Sequence, residues 1–152
     1  MKIKIRKALP SDLPAILLLV KELAVYENAG DQVSATLTDY EKAFNEKVFE
    51  SQVAEVDGQV IGMTLYYMAY STWRGKMLFL EDFVVSETYR NKGVGQLLFE
   101  AFLVEARLKK VVMVKWQVLD WNEPAVAFYE KNNAIFDKGW WNVKIFFEEF
   151  NL

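Results

Sequence analysis

The stretch Arg90-Asn91-Lys92-Gly93-Val94-Gly95 lies between an apolar run that ends at Val85 and a helical pattern that begins near Val94. Its two glycines allow the backbone to approach a ligand closely. The N–H groups at a helix start have no partner within the helix and the helix dipole is positive there, so this position favours an anion such as a pyrophosphate. Arg90 and Lys92 add positive charge. The stretch therefore predicts an anion-binding turn between a strand and a helix.

Two well-known phosphate loops do not match this turn. The sequence contains no Gly-x-x-x-x-Gly-Lys-Ser/Thr motif, and the dinucleotide-binding fingerprint requires a third glycine where Leu98 stands. The pattern is instead Arg-x-x-Gly-x-Gly. An ordinary glycine-containing turn that carries solvated basic side chains is the alternative interpretation.

The composition excludes several kinds of catalytic chemistry. The chain has 152 residues, 21 of them acidic and 18 basic, a formal net charge of −3, and neither His nor Cys. Without these two residue types there is no Ser-His-Asp triad, no thiolate nucleophile, no disulfide and no Cys/His zinc site. Catalysis is left to carboxylates, Tyr, Lys, hydroxyls or backbone amides.

Length and charge distribution indicate the general class of protein. We expect one domain over residues 1–152, because a chain of this length buries a sizeable core. Interspersed charges give no basic stripe, so we expect no nucleic-acid partner. The apolar stretch from Ala15 to Val20 is much shorter than the roughly 18 residues that a membrane-spanning helix needs. We therefore expect no membrane association and a cytoplasmic location.

Apolar periodicity predicts one mixed α/β domain, with crossover connections near the middle of a mixed sheet. The predicted elements, in chain order, are a strand around Ile3 and Ile5, a helix from Ser11 to Glu27, a helix from Thr38 past Val48, a hairpin at 53–70, a strand at 77–85, a helix at 94–109, a strand at 111–118, a helix at 122–132 and a strand at 140–147. No internal repeat or linker interrupts this pattern.

Helix boundaries and one helix face were assigned from local signals. Ser11, with Pro14 in the first turn, predicts the start of the first helix, and Thr38 with Glu41 matches the capping-box pattern of the second. For the helix at 94–109 the predicted core positions are Leu97, Leu98, Ala101, Phe102 and Ala106.

Glu81 and Asp82 interrupt the strongly apolar run from Met77 to Val85. Alternation along a strand points the two side chains to opposite faces, so we expect only one, Glu81, to enter a cleft directly. Charges that protect an exposed sheet edge are the alternative, but a run that is apolar on both sides favours a central strand.

These motifs resemble the GNAT superfamily of acetyl-CoA-dependent N-acetyltransferases, whose pyrophosphate loop reads Arg/Gln-x-x-Gly-x-Gly/Ala. Further segments resemble its diamine (spermidine/spermine) and thialysine N-acetyltransferase branch. These segments are Lys21-Glu22-Leu23-Ala24 with Tyr26-Glu27, Leu80-Glu81-Asp82-Phe83 with Val84-Val85, Tyr89-Arg90, and Trp121-Asn122-Glu123-Pro124 with Phe128-Tyr129. The resemblance covers nearly the whole chain.

The resemblance implies the GNAT fold, an α/β fold with a mixed, largely antiparallel central sheet flanked by about four helices. It also implies acetyl-CoA as co-substrate, with no metal. The residues that it implies for the cofactor are Phe83, Val84, Val85, Arg90, Asn91, Lys92, Gly93, Val94, Gly95, Gln96, Asn122, Glu123, Pro124 and Ala125. The residues that it implies for the acceptor are Tyr26, Glu27, Glu81, Asp82, Lys115, Trp116, Gln117 and Trp140. Tyr129 matches the general acid of the family and Glu81 its substrate-side carboxylate. The resemblance also implies a homodimer.

The chemistry of these residues suits the reaction. An alkyl ammonium has a pKa of about 10.4 and must lose a proton before it attacks a thioester, which suits Glu81 as the group that attracts it and removes the proton. A strand amide at or beside Phe83 stabilises the oxyanion. The Tyr129 phenol, with an ordinary pKa of about 10, donates a proton to the leaving thiolate. Direct transfer in a ternary complex is expected.

We therefore expect an enzyme that acetylates a primary amine of a small molecule, such as a diamine, a polyamine, thialysine or a lysine-like compound. Lys138, within Asp137-Lys138-Gly139-Trp140, stands where polyamine-acetylating relatives have acidic residues, which favours a shorter diamine or a lysine-like acceptor. The alternatives are a protein Lys or N-terminal acetyltransferase and a non-catalytic acyl-CoA-binding regulatory protein.

Overall fold

The computed structural model describes residues 1–147, which contain five β-strands and four α-helices. Their bounds are β1 Lys4–Lys7, α1 Leu13–Tyr26, α2 Leu37–Asn45, β2 Glu50–Val56, β3 Gln59–Ser71, β4 Gly75–Val85, α3 Val94–Leu108, β5 Met113–Trp116 and α4 Glu123–Lys131. The sheet order is β1-β2-β3-β4-β5, with antiparallel pairs up to β4 and a parallel β4–β5 pair. This confirms the predicted mixed, largely antiparallel α/β fold.

The chain forms two compact units. The first, Met1–Gln117, contains the whole sheet and helices α1 to α3, and the second begins at Val118 and contains α4. Within residues 1–147, no helix is both long enough and apolar enough to cross a bilayer.

The sheet of the first unit carries apolar clusters on both faces. The cluster on the α1 and α2 side consists of Leu13, Ile16, Leu19, Phe49, Val53, Met63, Leu65 and Val84. Two clusters lie on the α3 side. The first consists of Ala54, Val56, Ile61, Val94 and Leu98. The second consists of Tyr66, Leu78, Leu80, Phe102 and Ala106. The sheet is therefore the middle layer between α1 and α2 on one side and α3 on the other.

The predicted core face of α3 was partly wrong. The buried apolar residues of this helix are Val94, Leu98, Phe99, Phe102 and Ala106. Leu97, predicted to be buried, is 41% exposed, and Phe99 takes part in the core instead. Both choices fit a helical period, and the packing of Phe99 against Phe83 and Trp116 decides between them.

The predicted caps of α1 and α2 were also wrong. α2 begins after Thr36, whose Oγ1 accepts a hydrogen bond from the Asp39 N–H at 3.2 Å, while the Asp39 carboxylate accepts one from the Thr36 N–H at 2.7 Å. This register places Leu37 and Tyr40 against the core, which the Thr38 start does not. In front of α1, Ser11 lies in a 3-10 turn and Asp12 is the residue that precedes the helix.

The predicted strand over residues 140–147 is not formed, and β5 is shorter than the predicted strand at 111–118. Residues 134–146 form neither helix nor strand, and Trp141 and Val143 are 91% and 87% exposed. Their alternating apolar pattern has strand propensity, but a strand is stable only when it pairs with another.

Candidate active site

The glycine turn, residues 90–95, connects β4 to α3 and has left-handed backbone at two positions. Asn91 has a φ of 60° and Gly93, the N-cap of α3, has a φ of 84°. A side chain at Gly93 would be strained by this φ, although a Cβ built there meets nothing within 4 Å. Gly93 is therefore required by backbone geometry, and the space beside it is open. A phosphate group can approach the first-turn N–H groups of α3 through this space.

Arg90 is directed toward α1 and not toward the glycine turn. Its Nε donates a hydrogen bond to the Val85 carbonyl at 3.0 Å, and its Nη2 lies 3.8 Å from a carboxylate oxygen of Glu22. The guanidinium also lies over the Tyr26 ring, 5.2 Å from the centroid. Arg90 thus differs from the predicted anion-facing cation. Lys92 is exposed at the turn, with its Nζ 5.6 Å from the centroid of the Tyr89 ring.

The end of β4 extends beyond its parallel partner. β5 pairs with β4 only from Met77 to Leu80, because β5 ends at Trp116, opposite Leu80. On its other edge, β4 stays paired with β3 as far as Val85. The backbone edge of Phe83, Val84 and Val85 that faces away from β3 thus lies beyond the β4–β5 ladder. The Val85 carbonyl on this edge accepts a hydrogen bond from the Arg90 Nε at 3.0 Å.

A β-bulge lies at Glu81. Leu65 pairs with Asp82 and Tyr66 pairs with Leu80, so Glu81 is an additional residue in β4. Leu80 and Phe83 both pack toward α3, which leaves the two residues between them on the other face. Glu81 and Asp82 therefore share the face toward α1 and α2. The prediction that they point to opposite faces was wrong, because it assumed regular alternation.

Three carboxylates lie near one another on this face. Burial, followed by the charges of Glu81 and Glu27, raises the pKa of Asp82 to about 6. Burial also raises the pKa of Glu27, which is the C-cap of α1. Glu81 is exposed, and its Oε2 accepts a hydrogen bond from the Tyr67 hydroxyl at 3.0 Å. A group of negative charges in a partly buried position attracts a cation.

Two tyrosines surround this acidic group and were not predicted to belong to the site. The pKa of Tyr67 is raised to about 12 by burial and by its hydrogen bond to Glu81, and Tyr67 stacks on Phe79 at 5.5 Å between centroids. The pKa of Tyr40, on α2, is raised to about 12 by burial and by the charges of Asp82 and Glu81. Tyr67 could have been found from the sequence, because counting back from the β3–β4 turn pairs it with Phe79, two residues before Glu81. Tyr40 has no comparable sequence signal.

The β5 residues predicted for the acceptor are distributed over the strand and its end. Trp116 packs toward α3, edge-on against Phe99 with ring centroids 5.5 Å apart. Lys115 is exposed and pairs with Phe79, which places it on the opposite face from Trp116. Gln117 is exposed beyond the strand end. Of these three residues, Lys115 shares the face of the acidic group.

The second unit contains the remaining predicted residues. Asn122 is the N-cap of α4, and its Oδ1 accepts a hydrogen bond from the Ala125 N–H at 3.4 Å, with Glu123 and Pro124 in the first turn. Tyr129 is 8% exposed. Trp140 is 73% exposed, and its indole N–H donates a hydrogen bond to Asp137 at 3.2 Å.

No group of three or more His, Cys, Asp or Glu side chains suited to a metal ion occurs in the part of the chain that the structure describes. The glycine turn, with its first-turn N–H groups of α3, fits a cofactor that carries phosphates. The acidic group fits a cation.

Comparisons with known proteins agree with this geometry. The chain is 30% identical over 139 residues to a thialysine N-epsilon-acetyltransferase from Caenorhabditis elegans. The matched region covers 90% of this chain and 87% of that protein. It is 32% identical over 149 residues to the Homo sapiens spermidine/spermine N(1)-acetyltransferase-like protein 1. This match covers 90% of this chain but only 21% of that protein.

A structure of an aminoglycoside acetyltransferase from an uncultured soil metagenomic sample has a TM-score of 0.81 at 18% identity, over 94% of this chain and 96% of that chain, and so shares the fold. The family model of the acetyltransferase (GNAT) family matches residues 18–134. The chain is therefore an acyltransferase that belongs to the GNAT family, in the branch that resembles diamine and thialysine N-acetyltransferases.

Proposed function

We propose that the protein transfers the acetyl group of acetyl-CoA to a primary amine of a small molecule, either a diamine or polyamine or a lysine-like compound such as thialysine. The observation that carries this proposal is the acidic group: the bulge of β4 places Glu81 and Asp82 on one face, and Glu27, at the end of α1, lies near enough for its charge to act on Asp82. The names of the relatives agree with an amine acceptor.

The cofactor-binding residues are proposed on the geometry of the turn and strand and on the family resemblance. The set is Phe83, Val84, Val85, Arg90, Asn91, Lys92, Gly93, Val94, Gly95, Gln96, Asn122, Glu123, Pro124 and Ala125. Backbone amides of the glycine turn hold the pyrophosphate, and Lys92 adds charge. The family resemblance assigns the pantetheine arm to the backbone of residues 83–85 in β4. Acetyl-CoA, when bound, supplies the activated acyl group.

Glu81 is proposed to accept the proton that the acceptor must lose. Because it is exposed and lies beside the half-buried Asp82, it receives the ammonium from solvent and passes the proton outward. Asp82, with a pKa of about 6, is mostly ionised at neutral pH and holds the cation. The hydrogen bond from Tyr67 fixes the orientation of the Glu81 carboxylate.

The amide at or next to Phe83 is proposed to stabilise the oxyanion that forms when the amine attacks. Tyr129 donates a proton to the departing thiolate, a role that rests on the family resemblance of the α4 segment and on the acidity of a phenol. The chain contains neither Cys nor His, which favours direct transfer in a ternary complex over an acyl-enzyme.

The acceptor set is completed by residues from α1, from β5 and from the segment that follows α4. It comprises Tyr26, Glu27, Glu81, Asp82, Lys115, Trp116, Gln117 and Trp140. Lys115 shares the face of the acidic group, and by the resemblance Lys138 stands where polyamine-acetylating relatives have acidic residues. Both positive charges disfavour an acceptor with several ammonium groups. Short diamines and amino acids with a side-chain amine are the favoured acceptors.

We further propose that residues 1–152 act as one acetyltransferase domain, since the family match crosses from the first unit into the second. A homodimer is proposed from the resemblance. It is supported by the exposed apolar side chains Ile135, Trp141 and Val143, which a second copy would cover. Light scattering at several protein concentrations measures the assembly. A cytoplasmic location stays a prediction.

The test is CoA-thiol release from acetyl-CoA with a panel of acceptors. The panel contains putrescine, spermidine, thialysine, lysine, ornithine and a Lys-containing peptide. We expect turnover with at least one short diamine or amino acid, slower turnover with spermidine and none with the peptide. Turnover of the peptide alone indicates a protein acetyltransferase, and tight acetyl-CoA binding without turnover of any amine indicates a binding protein.

A variant pair connects this activity to the acidic group. Glu81→Gln removes one charge and the proposed proton acceptor, so we expect kcat/KM for the amine to fall by about 10²-fold while KM for acetyl-CoA stays constant. Glu41→Gln, at an exposed position of α2, is the matched control. An equal effect of both variants, or an unchanged pH–rate profile in Glu81→Gln, contradicts the role of Glu81.

A further inference from the structure

Glu22, on α1, joins this helix to the segment that precedes the glycine turn. Its Oε1 accepts a hydrogen bond from the Glu87 N–H at 2.9 Å and lies 3.8 Å from the Arg90 Nη2. The Glu22 carboxylate therefore contacts two residues, Glu87 and Arg90, that are three positions apart in the chain. Glu87 and Arg90 bracket a short 3-10 turn, Glu87–Tyr89, that follows β4.

Arg90 extends these contacts to β4 and to the end of α1. Its Nε donates to the Val85 carbonyl, and its guanidinium lies over the Tyr26 ring. Lys21, Glu22, Val25, Tyr26, Glu87 and Arg90 line a cleft of about 440 Å³. The side chain of Arg90, the first residue of the glycine turn, is therefore held by side chains of α1 and by a carbonyl of β4.

We propose that Glu22 is a positioning residue for the cofactor. By fixing the backbone at Glu87 and the side chain at Arg90, it orders residues 86–93 before acetyl-CoA arrives. A loop that is already ordered binds its ligand more tightly, because less conformational entropy is lost on binding. This role rests on the proposed function, in which residues 90–95 hold the pyrophosphate, and it assigns a task to a residue outside the cofactor and acceptor sets.

The two contacts of Glu22 differ in expected strength. The Glu22 and Arg90 side chains are 35% and 34% exposed, so solvent and salt screen the ion pair. The hydrogen bond to the Glu87 N–H is short and charge-assisted, and a Gln side chain retains an oxygen acceptor for it. Glu22→Gln therefore weakens the arrangement and Glu22→Leu removes it.

The experiment measures CoA binding by titration calorimetry in the absence of any amine, together with the steady-state constants. Glu22→Leu is expected to raise the CoA Kd about tenfold, equivalent to about 1.4 kcal/mol, and Glu22→Gln about two- to threefold. KM for acetyl-CoA rises in parallel, whereas kcat at saturating acetyl-CoA stays within about twofold, because loop ordering is complete once the cofactor is bound. Glu41→Leu, at an exposed position of the neighbouring helix, leaves the Kd unchanged.

Thermal unfolding of the apo variants shows whether they fold, and the graded effect of Glu22→Gln tests the proposal even where Glu22→Leu does not fold. A wild-type Kd in both Glu22 variants, or a fall in kcat with unchanged KM for acetyl-CoA, overturns the positioning role. A wild-type protein that binds no CoA overturns the proposed function itself, and the role of Glu22 with it.

Discussion

Replacing Asp82 by Asn tests whether the acidic group is held together at a cost in stability. The pKa of Asp82 rises from 3.8 to about 6 on folding, so the folded state binds a proton more tightly than the unfolded state does. The free energy of unfolding therefore falls as the pH rises through this interval, and above about pH 6 the full cost is present. A shift of about 2 pKa units corresponds to about 3 kcal/mol.

The expected gain in Asp82→Asn follows from this sign. About two thirds of the cost develops between about pH 4.5 and pH 7.5. Asp82→Asn removes this cost, so the variant is stabilised relative to the wild type. Because the Asp82 side chain keeps part of its surface in solvent, we expect its gain in free energy of unfolding to be about 1 to 2 kcal/mol larger at about pH 7.5 than at about pH 4.5. Comparing two pH values cancels any constant effect of the new amide, such as its own hydrogen bonds.

Urea unfolding of both proteins, followed by tryptophan fluorescence at the two pH values, measures this difference. Asp57→Asn is the matched control, because Asp57 is exposed in the β2–β3 turn at a φ of 50°, which Asn tolerates. An equal gain at both pH values, or the same pH dependence in the control, refutes the reasoning. We expect Asp82→Asn to have a higher KM for the amine, so that stability and acceptor binding change in opposite directions.

Three further predictions concern single positions. Tyr129→Phe lowers kcat by about 10²-fold with unchanged CoA affinity, and undiminished turnover removes Tyr129 from the mechanism. Gly93→Ala, at a φ of 84°, lowers stability by about 1 kcal/mol and weakens CoA binding, whereas Gly95→Ala, inside α3 with Cβ contacts of 3.7 Å or more, does not lower the urea midpoint. Thr36→Ala lowers the free energy of unfolding by about 1 kcal/mol and Thr38→Ala does not, and the reverse order contradicts the observed cap.

Local signals were sufficient for most of the fold. The Asp57-Gly58 turn, the apolar run of β4 and the helical period after Gly93 predicted their elements correctly, because each depends on neighbouring residues. The caps of α1 and α2 were wrong by one or two residues. Two overlapping Thr-x-x-acid patterns exist before α2, and tertiary packing of Leu37 and Tyr40 selects the earlier one.

The missing strand at residues 140–147 has a different cause. Its alternating sequence fits a strand, but a strand forms only where a partner strand pairs with it. Local pattern contains no information about that partner. The exposed Trp141 and Val143 are the consequence.

The sequence showed which stretches of the candidate site are unusual, but not how they are arranged in space. The glycine turn and the acidic pair stood out because glycines before a helix and carboxylates in an apolar strand are unusual. The direction of Arg90 and the contacts of Glu22 were not predictable, because they connect residues 65 and 68 positions apart in the sequence. Position along the chain does not determine which of several carboxylates an arginine meets.

Glu81 and Asp82 lie on the same face only because β4 contains one inserted residue at this point. Before Glu81 the even-numbered residues of β4 face α3, and after it the odd-numbered residues do. Leu80 and Phe83 therefore both face α3, although they are three positions apart. Deleting Glu81 or Asp82 restores regular alternation, so that Leu80 and Phe83 still face α3 but only one acidic side chain is left on the other face. Transplanting Glu81 and Asp82 into an unbulged strand would therefore separate them onto two faces, so an engineer must transfer the inserted residue together with its neighbours on β3.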